Sequence, residues 1–337
     1  MERLDILVAN NSLDSLGGSE TFTYSLIQSL VVKGYSIEYF TFNQGDVSNS
    51  IETDLNVRFM TKSKYDLILA NHKTCVNFLY RKGFVIQTCH GIFPSLEQPS
   101  LLADAYVSIS NEVHDHLLAK GLRSKIIWNG ISLERFTPKN PINQKLQNVL
   151  SLCHSIEANK VVKEACELVG ANFEVLNKYD KADWSVEEYI NRNDLVVGLG
   201  RSAYEAMACG RPVVAFDSRK YMDSYGDGYL RDILGFSILN NCSGRYSAKT
   251  YTAETLAKEF LKYDSKDGVF FRDFAERHLN MSYKAEEYIA YFEIIKKNKK
   301  RINRKILIDF FKNNQFLRNP FLILLSLFIK IKGKLKS

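Results

Sequence analysis

Residues 198–214 read Gly198-Leu-Gly200-Arg201-Ser-Ala-Tyr-Glu205-Ala-Met-Ala-Cys-Gly210-Arg-Pro212-Val-Val. The pattern is strand, glycine turn, helix and proline-started strand: 195–199 and 212–216 are short apolar runs, and 203–209 is a compact run between them. Glycines at the start of a helix allow an anion such as a diphosphate to approach its positive end closely. Arg201 offers a planar fork suited to phosphate oxygens. Glu205 follows four residues later on the same helix face, where a carboxylate can accept two hydrogen bonds from a vicinal diol. Ala206, Ala208 and Gly210 suit a helix packed tightly on a sheet. A plain Arg–Glu pair at i, i+4 is the competing reading, and such a pair contributes little by itself.

Outward from this unit, strand and helix signals alternate along the whole chain. In the first half, runs at 6–9, 37–42, 67–70, 84–88 and 105–109 predict strands. Helical spacing of Phe22, Leu26, Ile27 and Leu30 predicts a helix over 19–32, stopped by Gly34, and a second is expected over 111–120, capped by Asn111. Pro138, Pro141 and polar neighbours mark 137–147 as a linker. The second half repeats the rhythm, with strands at 149–152 and 173–176 and helices at 160–168, 186–190, 252–263 and 271–278. Two doubly wound α/β domains with parallel sheets follow, and their ligand belongs in the cleft at the carboxyl ends of the strands.

Two further candidates sit just after predicted strands. Gly17-Gly18-Ser19-Glu20 precedes the first helix, where the glycines admit an anion to the helix start; a tight turn with Ser19 as helix cap is the alternative. A dinucleotide fingerprint is absent from this turn, which argues against NAD or FAD. His90, in Cys89-His90-Gly91, follows the fourth strand, a position where cleft residues gather. Cys75, Cys89, Cys153, Cys166, Cys209 and Cys242 show neither paired nor zinc-like spacing and read as buried free thiols.

The 198–214 segment resembles the donor-site signature of retaining glycosyltransferases of family 4, E-G-x-G-x-x-x-x-E-A-x-A-x-G-x-P-V-V. Gly17-Gly18-x-Glu20 resembles that family's N-terminal glycine loop and His90-Gly91 its cleft histidine. Asn129-Gly130-Ile131, with Phe136 and Pro138, is similar to the motif that closes its first domain. These matches occur in the family's order across residues 1–295. The resemblance implies the GT-B fold, two Rossmann-like doubly wound domains facing across a cleft: residues 1–140 on the acceptor side, 147–280 for the nucleotide sugar, and a helix over 281–296 packing back toward the first domain. It further implies that Glu205 binds the donor ribose, that Gly17, Gly18, Gly198, Gly200, Arg201 and Lys160 lie near the nucleotide and its diphosphate, and that His90 sits near the transferred sugar. His90 and Glu205 are then the catalytic candidates. Retention of anomeric configuration is implied, with no metal or other cofactor, and no D-x-D motif is present to hold a divalent ion. Three positions depart from the pattern. Val197 replaces the first Glu of the signature, Ser132 replaces an Asp, and a basic pair after the first strand of the second domain is reduced to His154 and Lys160.

Charge is unevenly divided. Residues 296–337 carry thirteen Lys and Arg against one acid, Asp309, for +12, while the rest of the chain carries 32 basic and 37 acidic side chains, for −5. Apolar residues at Ile302, Ile306, Phe310 and 321–329 accompany the basic ones. Nine helical residues reach only about 14 Å, too short to span a bilayer core of about 30 Å. Residues 297–337 therefore predict a basic amphipathic helical tail lying on an anionic membrane surface, with packing on the protein's own first domain or an oligomer contact as the alternatives. No RNA-binding signature is present and no nucleic-acid partner is expected. The N-terminus is strand-like rather than a signal peptide, which predicts a cytoplasmic protein, peripheral on the inner face of the cell membrane. The functional expectation is transfer of a sugar from a nucleotide-diphosphate donor to a saccharide or lipid-linked saccharide hydroxyl, in lipopolysaccharide, capsule or other cell-surface polysaccharide assembly. A catalytically weak GT-B binding or scaffold subunit and a sugar-nucleotide epimerase of similar fold are the alternatives.

Overall fold

Near-continuous apolar runs, rather than alternating ones, mark strands covered on both faces. The computed structural model describes residues 4–176, 184–219 and 224–297. In the first domain β1 (Asp5–Ala9) leads through the short β2 (Ser12–Leu13) to α1 (Gly18–Val32). Then come β3 (Ser36–Phe40), the short β4 (Asn43–Gln44), α2 (Asp46–Leu55), β5 (Leu67–Ala70), α3 (Lys73–Leu79), β6 (Phe84–Cys89), β7 (Ala105–Ser108), α4 (Asn111–Ala119) and β8 (Ser124–Ile126). Six of these strands form one parallel sheet in the order β3-β1-β5-β6-β7-β8, and β2 pairs with β4 apart from it. The central strands β1, β5 and β6 are buried throughout or nearly so.

The second domain holds β9 (Asn148–Ser151), α5 (Ile156–Val169), β10 (Asn172–Val175), α6 (Val186–Asn191), β11 (Leu195–Val197), α7 (Arg201–Ala208), β12 (Val213–Ser218), β13 (Ser224–Tyr229), α8 (Leu234–Ser237), α9 (Ala253–Phe260) and α10 (Asp267–His278). Its sheet runs β10-β9-β11-β12-β13. The strand β13 is antiparallel to β12, with a register shift between Ala215 and Phe216; Gly226 and Gly228 blur its apolar pattern, which hid it from the sequence reading. Helix caps also differ from expectation. Ser110, not Asn111, caps α4 by accepting from the Val113 N–H, and Ser155 starts α5 at Ile156 by accepting from the Ala158 N–H. Gly17, not Ser19, is the N-cap of α1.

The linker over 137–147 is fastened to the second domain. The Arg211 side chain is buried, donating from Nη2 to the carbonyls of Asn140 (2.8 Å) and Asn191 (2.7 Å), from Nε to Asn193 (2.8 Å) and from Nη1 to Cys209 (3.0 Å). The carboxylate of Asp194 accepts the backbone N–H groups of Asn143, Gln147 and Asn148.

After α10 the chain returns to the first domain. Ile131 and Asn280 form a parallel bridge, with the Ile131 N–H donating to Leu279 O at 2.6 Å and the Met281 N–H to Ile131 O at 3.0 Å. The last described helix, α11 (Met281–Lys297), then places Met281, Ala285, Tyr288 and Phe292 in the first domain's core. The Tyr288 hydroxyl meets Thr88 Oγ1 at 2.9 Å, and Phe292 packs edge-on to Phe84. Burying two such rings stabilises the domain by about 2–3 kcal/mol each. Gly130 is required at the crossing, because a Cβ there would lie 2.7 Å from Met281 Cα. No described helix is long and apolar enough to cross a membrane. The basic tail predicted over 297–337 lies, beyond Lys297, outside the described residues.

Candidate functional site

The carboxyl ends of both sheets meet at an interdomain cleft. From the first domain come the loop after β6 and the start of α4 after β7; from the second come the turn before α7, the segment just after β12 and the loop over 240–245. The cleft is lined by His90, Glu97, Leu199, Arg219, Asn241 and Arg245, among others.

His90 is held by a hydrogen-bond chain that fixes its tautomer. Thr23 Oγ1 donates to Ser19 O at 2.7 Å, so it must accept from Asn10 Nδ2 (2.9 Å) and Asn71 Nδ2 (2.7 Å). This turns Asn71 Oδ1 toward His90 Nε2 at 3.0 Å, and an amide oxygen can only accept, so Nε2 carries the proton and Nδ1 is the acceptor nitrogen. Phe22 packs against the ring at 5.0 Å. Burial, with His72 and Arg201 nearby, pushes the His90 pKa down to about 3, so the imidazole is neutral at physiological pH.

Gly17 and Gly18 begin α1 without a side-chain cap. The Glu20 carboxylate occupies the space a Cβ on Gly17 would need, whereas the same position at Gly18 is open. Next to His90, the Glu97 carboxylate occupies the equivalent space over Gly91. Burial, and then the charge of Glu20, raise the Glu97 pKa to about 7. Two carboxylates thus lie within electrostatic reach of each other on the first-domain wall.

On the opposite wall the glycines are demanded by the fold itself. A Cβ on Gly198 would sit 3.0 Å from Ser202 Cβ, and Gly200 has φ +61°. Their N–H groups are engaged, Gly198 with Val214 O (3.1 Å) and Gly200 with Cys242 O (3.1 Å). Arg201 and Glu205 project from α7 at one helical turn's spacing and bond to each other, Nε to Oε1 at 2.8 Å; Arg201 Nη1 also reaches Gly130 O at 3.3 Å. Both side chains are about nine-tenths buried. Burial raises the Glu205 pKa, against the pull of Arg201 and Arg135, and lowers that of Arg201. The i, i+4 pair weighed from the sequence is therefore present, but buried rather than on an open surface.

Lys160 stands apart from this group. It is exposed on α5, 3.8 Å from Glu164. The backbone N–H of His154 bonds to Asp217. Val197 is buried in β11, in register with Ser151 and Val214, so it lies in the core rather than on the cleft wall.

Several cleft residues carried no motif. Arg219 follows β12 and bonds Asp217 through Nε at 3.1 Å. Arg245 bridges the domains, paired with Glu112 on α4 and lying 5.0 Å over the Phe93 ring. Arg135, which is not among the residues lining the cleft, pairs with Glu187 at 3.0 Å and lies near the rings of Phe136 and Trp184. Each comes from a loop remote in sequence, where a lone Arg or Asn gives no periodic signal. Among the described residues no group of His, Cys, Asp and Glu is arranged to hold a metal ion. All six cysteines are buried and free, as expected.

Comparison with family models found no match, and comparison with curated protein sequences found none. Solved structures do match. A glycosyltransferase from Rickettsia africae covers 89% of this chain and 100% of its own at TM-score 0.62 and 13% identity. Anabaena Alr3699/HepE, in complex with UDP and glucose, covers 86% of this chain and 100% of its own at 0.61 and 13%. The catalytic domain of Starch Synthase IV from Arabidopsis thaliana, bound to ADP and acarbose, covers 87% and 99% at 0.56 and 10%. At such identities the likeness is one of fold, and that fold is GT-B: two Rossmann-like domains across a cleft.

Proposed function

We propose that the chain is a glycosyltransferase that moves a sugar from a nucleotide-diphosphate donor to an acceptor hydroxyl with retention of configuration. The observation that carries this reading is the buried Arg201–Glu205 pair of α7 in a GT-B fold, with Arg201 within electrostatic reach of a neutral His90. In this reading Glu205 accepts the ribose hydroxyls, and Arg201 exchanges its bond to Gly130 O for a phosphate oxygen. Charge on the departing diphosphate is stabilised by Arg201, by Arg219 and by the open N-terminus of α1 at Gly18. His90, fixed with Nδ1 as acceptor, orients a hydroxyl of the transferred sugar. Such a site neutralises the diphosphate with side chains and helix ends, which is how the reaction would run without a bound divalent ion. A lipid-linked saccharide acceptor, of the kind used in cell-surface polysaccharide assembly, would suit a tail attracted to anionic membrane.

A thermal-shift screen of UDP, GDP, ADP and CMP sugars tests the donor class directly. One donor class is expected to raise the wild-type Tm, to do so equally with EDTA present, and to lose the effect in Glu205→Ala. A flat screen would sink the proposal. Conversion of a sugar nucleotide to its epimer with no acceptor present would replace transfer by epimerisation.

A further inference from the structure

The loop over 240–245 covers the Gly198–Gly200 turn and is tightly wound. Asn241 and Cys242 are successive non-glycine residues in the left-handed region, with φ +60° and +46°, and Gly244 follows at +76°. Such backbone persists only when its surroundings determine it. Here the Cys242 N–H bonds Ser237 O (2.9 Å), the Ser243 N–H bonds Asn240 O (3.2 Å), and Cys242 O takes the Gly200 N–H. Asp227 braces the loop by accepting from Ser237 Oγ and the Ser247 N–H.

This bracing holds two side chains in the cleft wall. Asn241 lies against Gly200, where a Cβ would meet its Nδ2 at 3.1 Å. Asn241 Oδ1 and Ser243 Oγ are both buried and have no hydrogen-bond partner among the described residues. Both residues line the same cleft as His90. A buried amide oxygen requires a donor, and a buried hydroxyl requires a donor or an acceptor. Neighbouring hydroxyls on one ring meet both needs, since each can donate and accept. Val197, sunk in the core, offers nothing polar from the adjacent strand.

We propose that Asn241 and Ser243 form the subsite for the hydroxyl groups of the transferred sugar, with Asn241 Oδ1 accepting from one hydroxyl and Ser243 Oγ bonding its neighbour. This inference rests on the nucleotide-sugar reading above. The nucleotide end is assigned to Arg201 and Glu205; residues 241 and 243 supply sugar selectivity from a loop some forty positions later in the chain.

Isothermal titration of wild type, Asn241→Gly and Ser243→Ala tests it, with UDP and UDP-glucose, GDP and GDP-mannose, and ADP and ADP-glucose as paired probes. Glycine accepts φ +60°, so the loop is kept, and an unchanged Tm checks this. Each variant is expected to bind the sugar nucleotide about five- to tenfold more weakly, the loss of one hydrogen bond, and the free nucleoside diphosphate unchanged. Equal weakening of both probes, or of neither, overturns the subsite. Wild type that binds nucleoside diphosphates but gains nothing from any sugar also overturns it, while leaving the nucleotide reading intact. Failure to bind any probe overturns both.

Discussion

Glu38 and Glu205 are both buried carboxylates, one in each domain, and their surroundings treat them in opposite ways. Glu38 ends up saturated. Its oxygens accept from the Tyr65 hydroxyl (2.5 Å), from the Thr61 N–H (2.7 Å) and Oγ1 (2.8 Å), and from Arg58 Nε (3.0 Å). Burial alone would raise its pKa, but these bonds outweigh burial and hold it at about 2. Among the described residues Glu205 has one side-chain donor, Arg201, and its pKa is raised by burial. Glu38 has its bonds completed by the protein; Glu205 keeps spare acceptor capacity, which the proposed reading gives to the donor ribose.

The largest effect expected from this contrast is on folding. Glu38→Ala strands several donors, so urea unfolding should show a loss of about 3 kcal/mol, with nucleotide affinity unchanged. The pH dependence has a definite sign. Because the folded pKa of Glu38 is depressed, its stabilisation is fully present above pH 4.5 and is lost as pH falls from there to about 2. Wild type should therefore lose more stability than Glu38→Ala between pH 5 and pH 3.

Next, Glu205→Gln keeps an oxygen for Arg201 but loses the charge, and sugar-nucleotide turnover should fall about 100-fold with little change in Tm. A large drop in Tm with near-normal turnover at a temperature where the variant stays folded would break the contrast. For Arg201→Ala, about tenfold weaker binding of the nucleoside diphosphate is expected by titration; unchanged affinity would remove Arg201 from the phosphate site. The smallest effect concerns Glu97. As pH rises through its pKa of about 7, a second negative charge forms near Glu20. Affinity for an anionic donor should drop about threefold between pH 6 and pH 8, and Glu97→Gln should flatten that slope.

The architecture was legible where local chemistry is redundant. Strand, glycine turn and helix at 195–208 carried both a pattern and a steric requirement, and the near-continuous apolar runs of the first domain marked its parallel strands. A shortage of apolar residues hid other elements, such as α2, which is mostly Ser, Asn, Thr and acidic residues, and glycines broke the pattern of β13. Within the site, Arg201, Glu205 and His90 could be named because each adjoins a glycine turn or strand end. Glu97, Arg219, Asn241, Ser243 and Arg245 could not, because only tertiary folding gathers them. Lys160 shows the converse: correct spacing after a strand put it one helical turn along α5, where the side chain points to solvent.

The double crossing at Ile131 and Asn280 bears on mechanics. A single peptide linker acts as a swivel, free to twist and bend in any direction. Here two chain segments pass between the domains side by side and are hydrogen-bonded to each other, while Arg211 locks the rest of the linker to the second domain. Paired crossings resist twist and leave bending about one axis, like a door on its hinge. Gly130 lies in that hinge, and its carbonyl holds Arg201. In the proposed reading, a phosphate that draws Arg201 away from Gly130 O would release a contact at the pivot itself, and so tie donor binding to the bend between the domains.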